Sequence, residues 1–327
     1  MNYVKLGNTG LDVSRLCLGC MSFGDNTVWK HKWVLNESDS EEIVKNALDL
    51  GINFFDTANV YSLGSSEEYV GRILKKHAKR DEIVVATKLY MSMREGRPNS
   101  LGLSRKAIMQ EIDGSLKRLG MDYIDLYIIH RFDYNTPIEE TLVALNDLVR
   151  SGKVRYIGAS AMFAWQFLKM LNFSEVNNLA KFVTMQNHYN LIYREEEREM
   201  LPLCVDQKIA TTPYSPLAAG RLVRSSQDET QRKQTDATAS QKYDATIEND
   251  SKVIERVAEI AKKRGVSNAN IALSWLLSQP TVVSPIIGVT KLPQLKEAYN
   301  ALSTTLTIEE KEYLQHPYVA HPIVGAL

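Results

Sequence analysis

Eight short segments dominated by β-branched, aromatic and other apolar residues recur along this chain, each almost free of polar interruption. They are SRLCLG ending at Gly19, INFFD at Asp56, IVVATK at Lys88, LYIIH at His130, RYIGAS at Ser160, FVTMQ at Gln186, IATTPY at Tyr214 and VVSPIIG at Gly288. A strand with one face in water alternates apolar and polar residues, so near-continuous apolar runs point to strands buried on both faces. Such strands need a covering layer of helices, and helical periodicity occupies 39–50, 104–119 and 138–150. Ser104 is placed to cap one helix, and Gly51, Gly120 and Gly152 stand where helices stop. From Asp56 to Tyr214 the segments repeat at intervals of roughly 30 residues, the size of a βα unit. The pattern predicts an α/β protein, a (β/α)8 TIM barrel that takes residues 1–327 as one domain. A doubly wound sheet fits less well, because the first βα turn, GCMSFG, lacks the Gly-x-Gly-x-x-Gly spacing.

Two stretches break the rhythm. The opening YVKLGNTGLDV places a Gly-containing turn between β-prone pieces and predicts an N-terminal hairpin closing the bottom of the barrel. The interval from Tyr214 to Gly288 is much longer than the others, and its polar first part, 221–250, reads as a long loop after strand 7 at the top of the barrel. That loop is either a flap over a ligand or an insertion with no task. The run REEERE at 194–199 reads as a solvated helix face.

Composition narrows the function by exclusion. Lys plus Arg and Asp plus Glu are each 39, so net charge is zero, and no basic stripe suits a phosphate backbone. No nucleic-acid partner is expected. No apolar stretch approaches the ~20 residues of a membrane helix, and MNYVKLGNTGLDVS lacks the apolar core of a signal peptide. The expectation is a cytoplasmic protein with no membrane partner. Cys17 and Cys20 form a Cys-x-x-Cys pair, but no second Cys/His pair completes a metal site, so they read as two packed thiols. His31, His77, His188, His316 and His321 do not end strands as a metal-dependent barrel hydrolase would need. No metal is expected.

In a (β/α)8 barrel the C-terminal ends of the strands converge on one mouth, where chemistry is placed. Asp56, Lys88 and His130 end three successive strand segments, and Tyr61 follows Asp56 by five residues. Taken singly they read as a capping Asp, a snorkelling Lys, a packed His and an exposed Tyr. Together, three ionisable groups ending three successive buried strands beside a phenol are hard to explain as accidents and make a candidate acid–base constellation.

Through Asp56, Tyr61, Lys88 and His130, and the string Asp-Thr-Ala-x-x-Tyr that carries the first two, the chain resembles the aldo-keto reductase superfamily over essentially its whole length. Within it, MQNHYNLIYREEEREMLPLC and YSPLAAGRL resemble the microbial aryl-alcohol dehydrogenase-like group, which is itself similar to potassium-channel β-subunits. The resemblance implies a soluble oxidoreductase that reduces aldehydes, and ketones by the same chemistry, with NADPH as cofactor and Tyr61 as proton donor. The alternative it carries is a regulatory subunit that binds NADPH (NADP+) and serves a protein partner. The residue types fit carbonyl reduction, which needs a hydride at carbon and a proton for oxygen. Tyr61 can supply the proton, a cationic Lys88 favours the phenolate left behind, Asp56 holds Lys88 by ion pairing, and His130 can orient the substrate oxygen.

By the same resemblance Gly19, Met21 and Asp56 border the cofactor. Ser160 and Gln186 hold its carboxamide, and Tyr214 stacks on the nicotinamide ring. Ser215, Pro216, Leu217, Gly220 and Arg221 line the pyrophosphate, and Gly288, Thr290, Lys291 and Gln294 surround the adenosine 2′-phosphate and adenine. The family commonly has Asn where this chain has Ala161 and Ala298, so a carboxamide bond and an adenine contact are missing or replaced. Phe23, Trp29, Trp33, Tyr90, Met91, Met93 and Phe132 fall in loops near the mouth. Either they line an aromatic pocket, chiefly through Trp29, Met91 and Phe132, or they pack the loops against the rim. The expected partner is a small carbonyl substrate, with oligomeric state left open.

Overall fold

A computed structural model describes residues 1–223 and 235–325. The N-terminal hairpin forms as expected, β1 (Tyr3–Lys5) antiparallel to β2 (Asp12–Ser14). Eight parallel strands follow: β3 (Cys17–Gly19), β4 (Phe54–Asp56), β5 (Val84–Leu89), β6 (Ile124–Ile129), β7 (Val154–Ser160), β8 (Phe182–Gln186), β9 (Ala210–Thr211) and β10 (Ile286–Gly288). Their spatial order is β10-β3-β4-β5-β6-β7-β8-β9. The two edges meet through the stretch before β10: Val283 N donates to Thr211 O at 3.0 Å and Ile286 N to Pro213 O at 2.9 Å. The result is the (β/α)8 barrel that the apolar runs predicted.

Period-2 alternation sorts each strand into two layers. Cys17, Phe54, Val84, Ala86, Leu126 and Ile128 fill the barrel interior, plugged from below by Leu6 and Val13 of the hairpin region. Leu18, Phe55, Val85, Leu89, Tyr127 and Ile129 face outward, onto the helices. Cys17 and Cys20 are buried free thiols in different layers, so neither a dithiol pair nor a metal site exists there. Gly158 answers a steric demand of the interior: an added Cβ would lie 2.4 Å from Thr184 Oγ1.

The helices start where caps are available. Helix α1 (Glu37–Asp49) begins earlier than its periodicity suggests because Asn36 accepts from Asp39 N. Helix α2 is Ser65–His77 and α3 is Arg105–Leu119, the latter capped by Ser104 and ended by left-handed Gly120. Pro137 opens α4 (Ile138–Arg150), α5 is Ala164–Val176 and α6 is Met200–Asp206.

Three expectations need correction. The stretch 221–250 is not a long loop in its described part: Asp236 caps a helix, α7 (Ala237–Tyr243), and a 3-10 turn leads directly into α8 (Ile247–Arg264). Residues 224–234 of that prediction lie outside the described residues. The acidic run is a short 3-10 turn, not a helix face: Arg198 and Glu199 face solvent, but buried Glu195 accepts from Tyr318 Oη at 2.7 Å and His321 N at 2.8 Å and anchors the C-terminal tail. Strand 7 spans two residues and ends at Thr211, short of Tyr214; beyond it the chain keeps single contacts, Thr212 N to Met185 O at 3.0 Å and an isolated bridge of Tyr214 with His188.

Candidate active site

The alternation that fills the barrel places the functional groups. Asp56 is two residues beyond interior Phe54, Lys88 two beyond Ala86 and His130 two beyond Ile128, so all three continue the inward face past the last apolar layer. Lys88 is fully buried and Asp56 is 3% exposed. Lys88 Nζ donates to Asp56 Oδ1 at 2.5 Å, to Thr57 O at 2.8 Å and to Tyr61 Oη at 3.2 Å. The Tyr61 ring stands edge-on to His130 with centroids 6.0 Å apart. The four residues identified in sequence thus meet at one point.

Their protonation states follow from burial and charge. Burial pulls the Lys88 ammonium down, but Asp56 and Tyr61 more than offset it and hold the pKa up at about 12. Burial raises the Tyr61 phenol, with Lys88 opposing and Asp56 reinforcing, so the phenol keeps its proton at neutral pH. His130 is driven well below the usual range by burial and by Lys88, Arg131 and Lys242, and is neutral.

The groups assigned to a dinucleotide occupy the rest of the mouth. Ser160 and Gln186 end β7 and β8 in register, both buried, and Gln186 Nε2 donates to Asp56 Oδ2 at 2.9 Å. Gly19 ends β3 beside Asp56, with Met21 in the next turn. Tyr214 lies flat on His188, centroids 5.3 Å apart, and receives Lys242 Nζ on its hydroxyl at 3.2 Å. Beyond Tyr214 the backbone turns through left-handed Ser215, Ala218, Ala219 and Gly220, around Pro216 and Leu217, to Arg221, which is paired with Asp244. Gly288 ends β10, and Gln294 Oε1 accepts from Thr290 N at 2.8 Å and Lys291 N at 3.2 Å, closing the start of α10 (Leu292–Asn300). Here α9 is Asn268–Leu277.

The loop aromatics divide between the two readings left open in sequence. Phe23 and Trp33 are buried and pack the first βα loop down. Trp29 stands 5.9 Å from the Tyr61 ring, and Phe132, half-buried, lies 5.1 Å from Tyr134 and 6.3 Å from Trp165. Tyr90, Met91 and Met93 are half-buried in the loop after β5. Sequence reasoning missed Tyr134 and Trp165, which are 61% and 57% exposed. It also missed His188, whose ring is stacked between Tyr193 at 4.1 Å and Tyr214, and whose Nε2 meets Tyr243 Oη at 2.7 Å. The string NHYN after β8 was the available signal, since a polar triplet there continues a strand that ends at the mouth.

Comparison with known proteins now decides the family. The pattern of the Aldo/keto reductase family matches residues 15–317. The chain belongs to that family. It is 44% identical to versiconal hemiacetal acetate reductase of Aspergillus parasiticus, over 99% of this chain and 98% of that protein. It is 42% identical to an aldo-keto reductase of Fusarium vanettenii, over 99% and 93%. A Schizosaccharomyces pombe protein provisionally named an aryl-alcohol dehydrogenase is 42% identical over 99% and 98%. As an aldo-keto reductase the chain is an oxidoreductase, of a family that generally uses NADP(H). Among the described residues no helix is long and apolar enough to cross a membrane, and no cluster of three His, Cys, Asp or Glu could hold a metal.

Proposed function

We propose that the protein is an NADPH-dependent reductase that converts aldehydes, and ketones by the same chemistry, to alcohols, with Tyr61 as proton donor. The observation that carries this reading is the contact chain Asp56–Lys88–Tyr61, 2.5 and 3.2 Å long, at the mouth of the barrel. NADPH, when bound, supplies the hydride. The donor set suits that group: a cation and a hydroxyl, Lys291 and Thr290, stand at a helix N-terminus, where a 2′-phosphate is favoured and a bare ribose gains less. Ser160, Gln186, Tyr214, Ser215 and Arg221 would hold the rest of the cofactor, with Gly19, Met21, Pro216, Leu217, Gly220, Gly288 and Gln294 shaping the walls.

The chain's own residues do the acid–base work. Tyr61 holds its proton at neutral pH and can release it to a carbonyl oxygen. The phenolate so formed sits against the Lys88 ammonium in a water-poor site, where such an interaction is worth far more than in bulk water. Asp56 keeps the buried Lys88 neutralised and in place. His130, neutral, can hydrogen-bond the same carbonyl oxygen without adding a competing charge.

Trp29 beside Tyr61, Met91, and Phe132 with its neighbours Tyr134 and Trp165 support a substrate with an aromatic or other bulky apolar body. The names of two relatives, versiconal hemiacetal acetate reductase and a provisionally named aryl-alcohol dehydrogenase, agree with it. The reading places the enzyme in the cytoplasm, with a small carbonyl compound as partner. It is tested by following NADPH oxidation with a panel of aromatic and aliphatic aldehydes, beside Tyr61→Phe and with NADH in place of NADPH. Expected is turnover that prefers NADPH and falls about 10³-fold in Tyr61→Phe while NADPH binding survives. Tight NADPH binding with no turnover of any aldehyde would instead favour the regulatory-subunit reading.

A further inference from the structure

The turn that carries Tyr61 is strained. Directly after it, Ser62, Leu63 and Gly64 follow one another at φ 47°, 49° and 97°. Two consecutive non-glycine residues in the left-handed region are unfavourable and persist only when their surroundings over-determine them. The contacts to β5 and to the start of α2 are plain: Lys88 O accepts from Asn59 N at 3.1 Å, and Ser65 Oγ donates to Ser62 O at 2.8 Å. Thr57 Oγ1 lies 2.9 Å from Ser66 Oγ, which donates to Cys20 O at 2.7 Å.

From α3 there is one hydrogen bond to the turn among the described residues, of an unusual kind. Asn59, fully buried, donates its side-chain amide to Glu111 Oε2 at 2.9 Å, from the middle of α3. Glu111 is 8% exposed and makes no ion pair among the described residues; the nearby Arg118 is committed to Glu67. A buried carboxylate without a cation is costly, and an apolar side chain would be the ordinary choice for a helix packed on a barrel. The tie accounts for it: a helix-borne acceptor reaches the turn two residues before Tyr61, where an apolar residue could only push.

We propose that Glu111 and Asn59 are positioning residues, which clamp the strained turn to α3 so that the Tyr61 phenol stays within reach of Lys88. The inference rests on Tyr61 being the proton donor. Neither residue touches the reacting atoms, so the clamp should govern kcat and leave cofactor binding alone.

The test compares Glu111→Ala, Asn59→Ala and Glu111→Gln with Tyr61→Phe, reading kcat for aldehyde reduction, NADPH Kd by fluorescence, and the pH profile of alcohol oxidation. Misplacing a catalytic group by about 1 Å costs on the order of 10²-fold. Glu111→Ala and Asn59→Ala should therefore lose about 10- to 100-fold in kcat with NADPH Kd within about threefold of the parent. Glu111→Gln, whose carbonyl oxygen still accepts from Asn59, should recover kcat to within about threefold. Lys88 pulls the Tyr61 pKa down against burial and Asp56, with Arg131 assisting Lys88. A loosened turn weakens that pull, so the rising limb of oxidation, which needs phenolate, should move to higher pH in the two alanine variants. Should Glu111→Ala fail to fold, Asn59→Ala carries the same test. Full activity in both alanine variants beside an inactive Tyr61→Phe overturns the clamp and leaves the reductase reading intact. Parallel loss of kcat and NADPH binding in all three, glutamine included, also overturns it, as a general packing defect. An active Tyr61→Phe would overturn the reductase reading and the clamp with it.

Discussion

On one side of the mouth, Asp56, Lys88 and His130 project from β4, β5 and β6, hydrogen-bonded strands whose inward faces stack Phe54, Ala86 and Ile128 beneath them. On the other, Tyr214, Ser215 and Arg221 sit on irregular backbone beyond the two-residue β9, held by an aromatic stack, left-handed turns and a pair with Asp244 on the next helix turn. The first side is dry: Asp56 and Tyr61 are joined by hydrogen bonds through Lys88, and the His130 ring meets Tyr61 edge-on with its Nδ1 buried and, among the described residues, without a hydrogen-bond partner. Groups of the second side are engaged with residues of their own chain that a ligand would have to replace or rearrange. On the proposed reading the difference teaches that chemistry and cofactor affinity would be borne by separate structural devices, which should respond to different mutations.

Breaking the strand side should have the largest effect. Replacing Lys88 by Met leaves the Asp56 carboxylate buried and, among the described residues, hydrogen-bonded only by Gln186, an uncompensated charge of the kind that costs about 3–5 kcal/mol. It also strips the cation from the phenol. The expected outcome is a large fall in melting temperature together with about 10³-fold or greater loss of kcat. A variant that lost activity but kept the parental melting temperature would show that the pair contributes no stability here.

The loop side should show the opposite split. His188→Ala removes the middle ring of the Tyr193–His188–Tyr214 stack and one partner of Tyr243 Oη, which keeps Asn190 Nδ2. NADPH Kd, by fluorescence titration, should rise about tenfold, while kcat at saturating NADPH stays within about threefold. A collapse of kcat would mean that the two sides are one device.

The pH profile sharpens the comparison further. Because burial and neighbouring cations lower the pKa of His130, it gains charge only at acid pH; because burial raises that of Tyr61, it loses its proton only at alkaline pH. Reduction at saturating NADPH should therefore be flat through neutrality, and oxidation, which needs the phenolate, should climb with pH. An inflection in the reduction profile near the reference histidine value of about 6.5 would contradict this.

How much of this was legible in the sequence follows the same division. Strand-side residues announce themselves, because period-2 burial is a local property: once IVVATK reads as a strand buried on both faces, an ionisable residue at its end has only the mouth to face. The hairpin and the caps at Ser104 and Gly120 are equally local. His188 and Tyr243 are 55 residues apart, and their bond appears only when the chain closes. Glu195 read as solvated for the same reason: its partners Tyr318 and His321 come from the far end of the chain. The helix α7 was hidden by Ser, Thr and Gln, residues that imply a loop until Tyr243 is seen packed beside Arg221.

The smallest effect is the most informative about the loop side. Lys242 lies with its ammonium 4.3 Å from the centre of the Tyr214 ring and within hydrogen-bond reach of its hydroxyl. A cation over a partly exposed aromatic ring contributes about 0.5–1 kcal/mol. If that ring receives the nicotinamide, the two compete, and Lys242→Ala should tighten NADPH binding by about two- to fivefold. On the same reading a 2′-phosphorylated ADP-ribose, which has no nicotinamide, would engage Arg221 and Lys291 but not the Tyr214 ring, and its Kd should not move. Tightening of both ligands would assign the effect to Asp244 and Arg221 rather than to the ring. Weaker NADPH binding in Lys242→Ala would make the lysine a cofactor ligand in its own right, placing α7 among the elements that hold the dinucleotide.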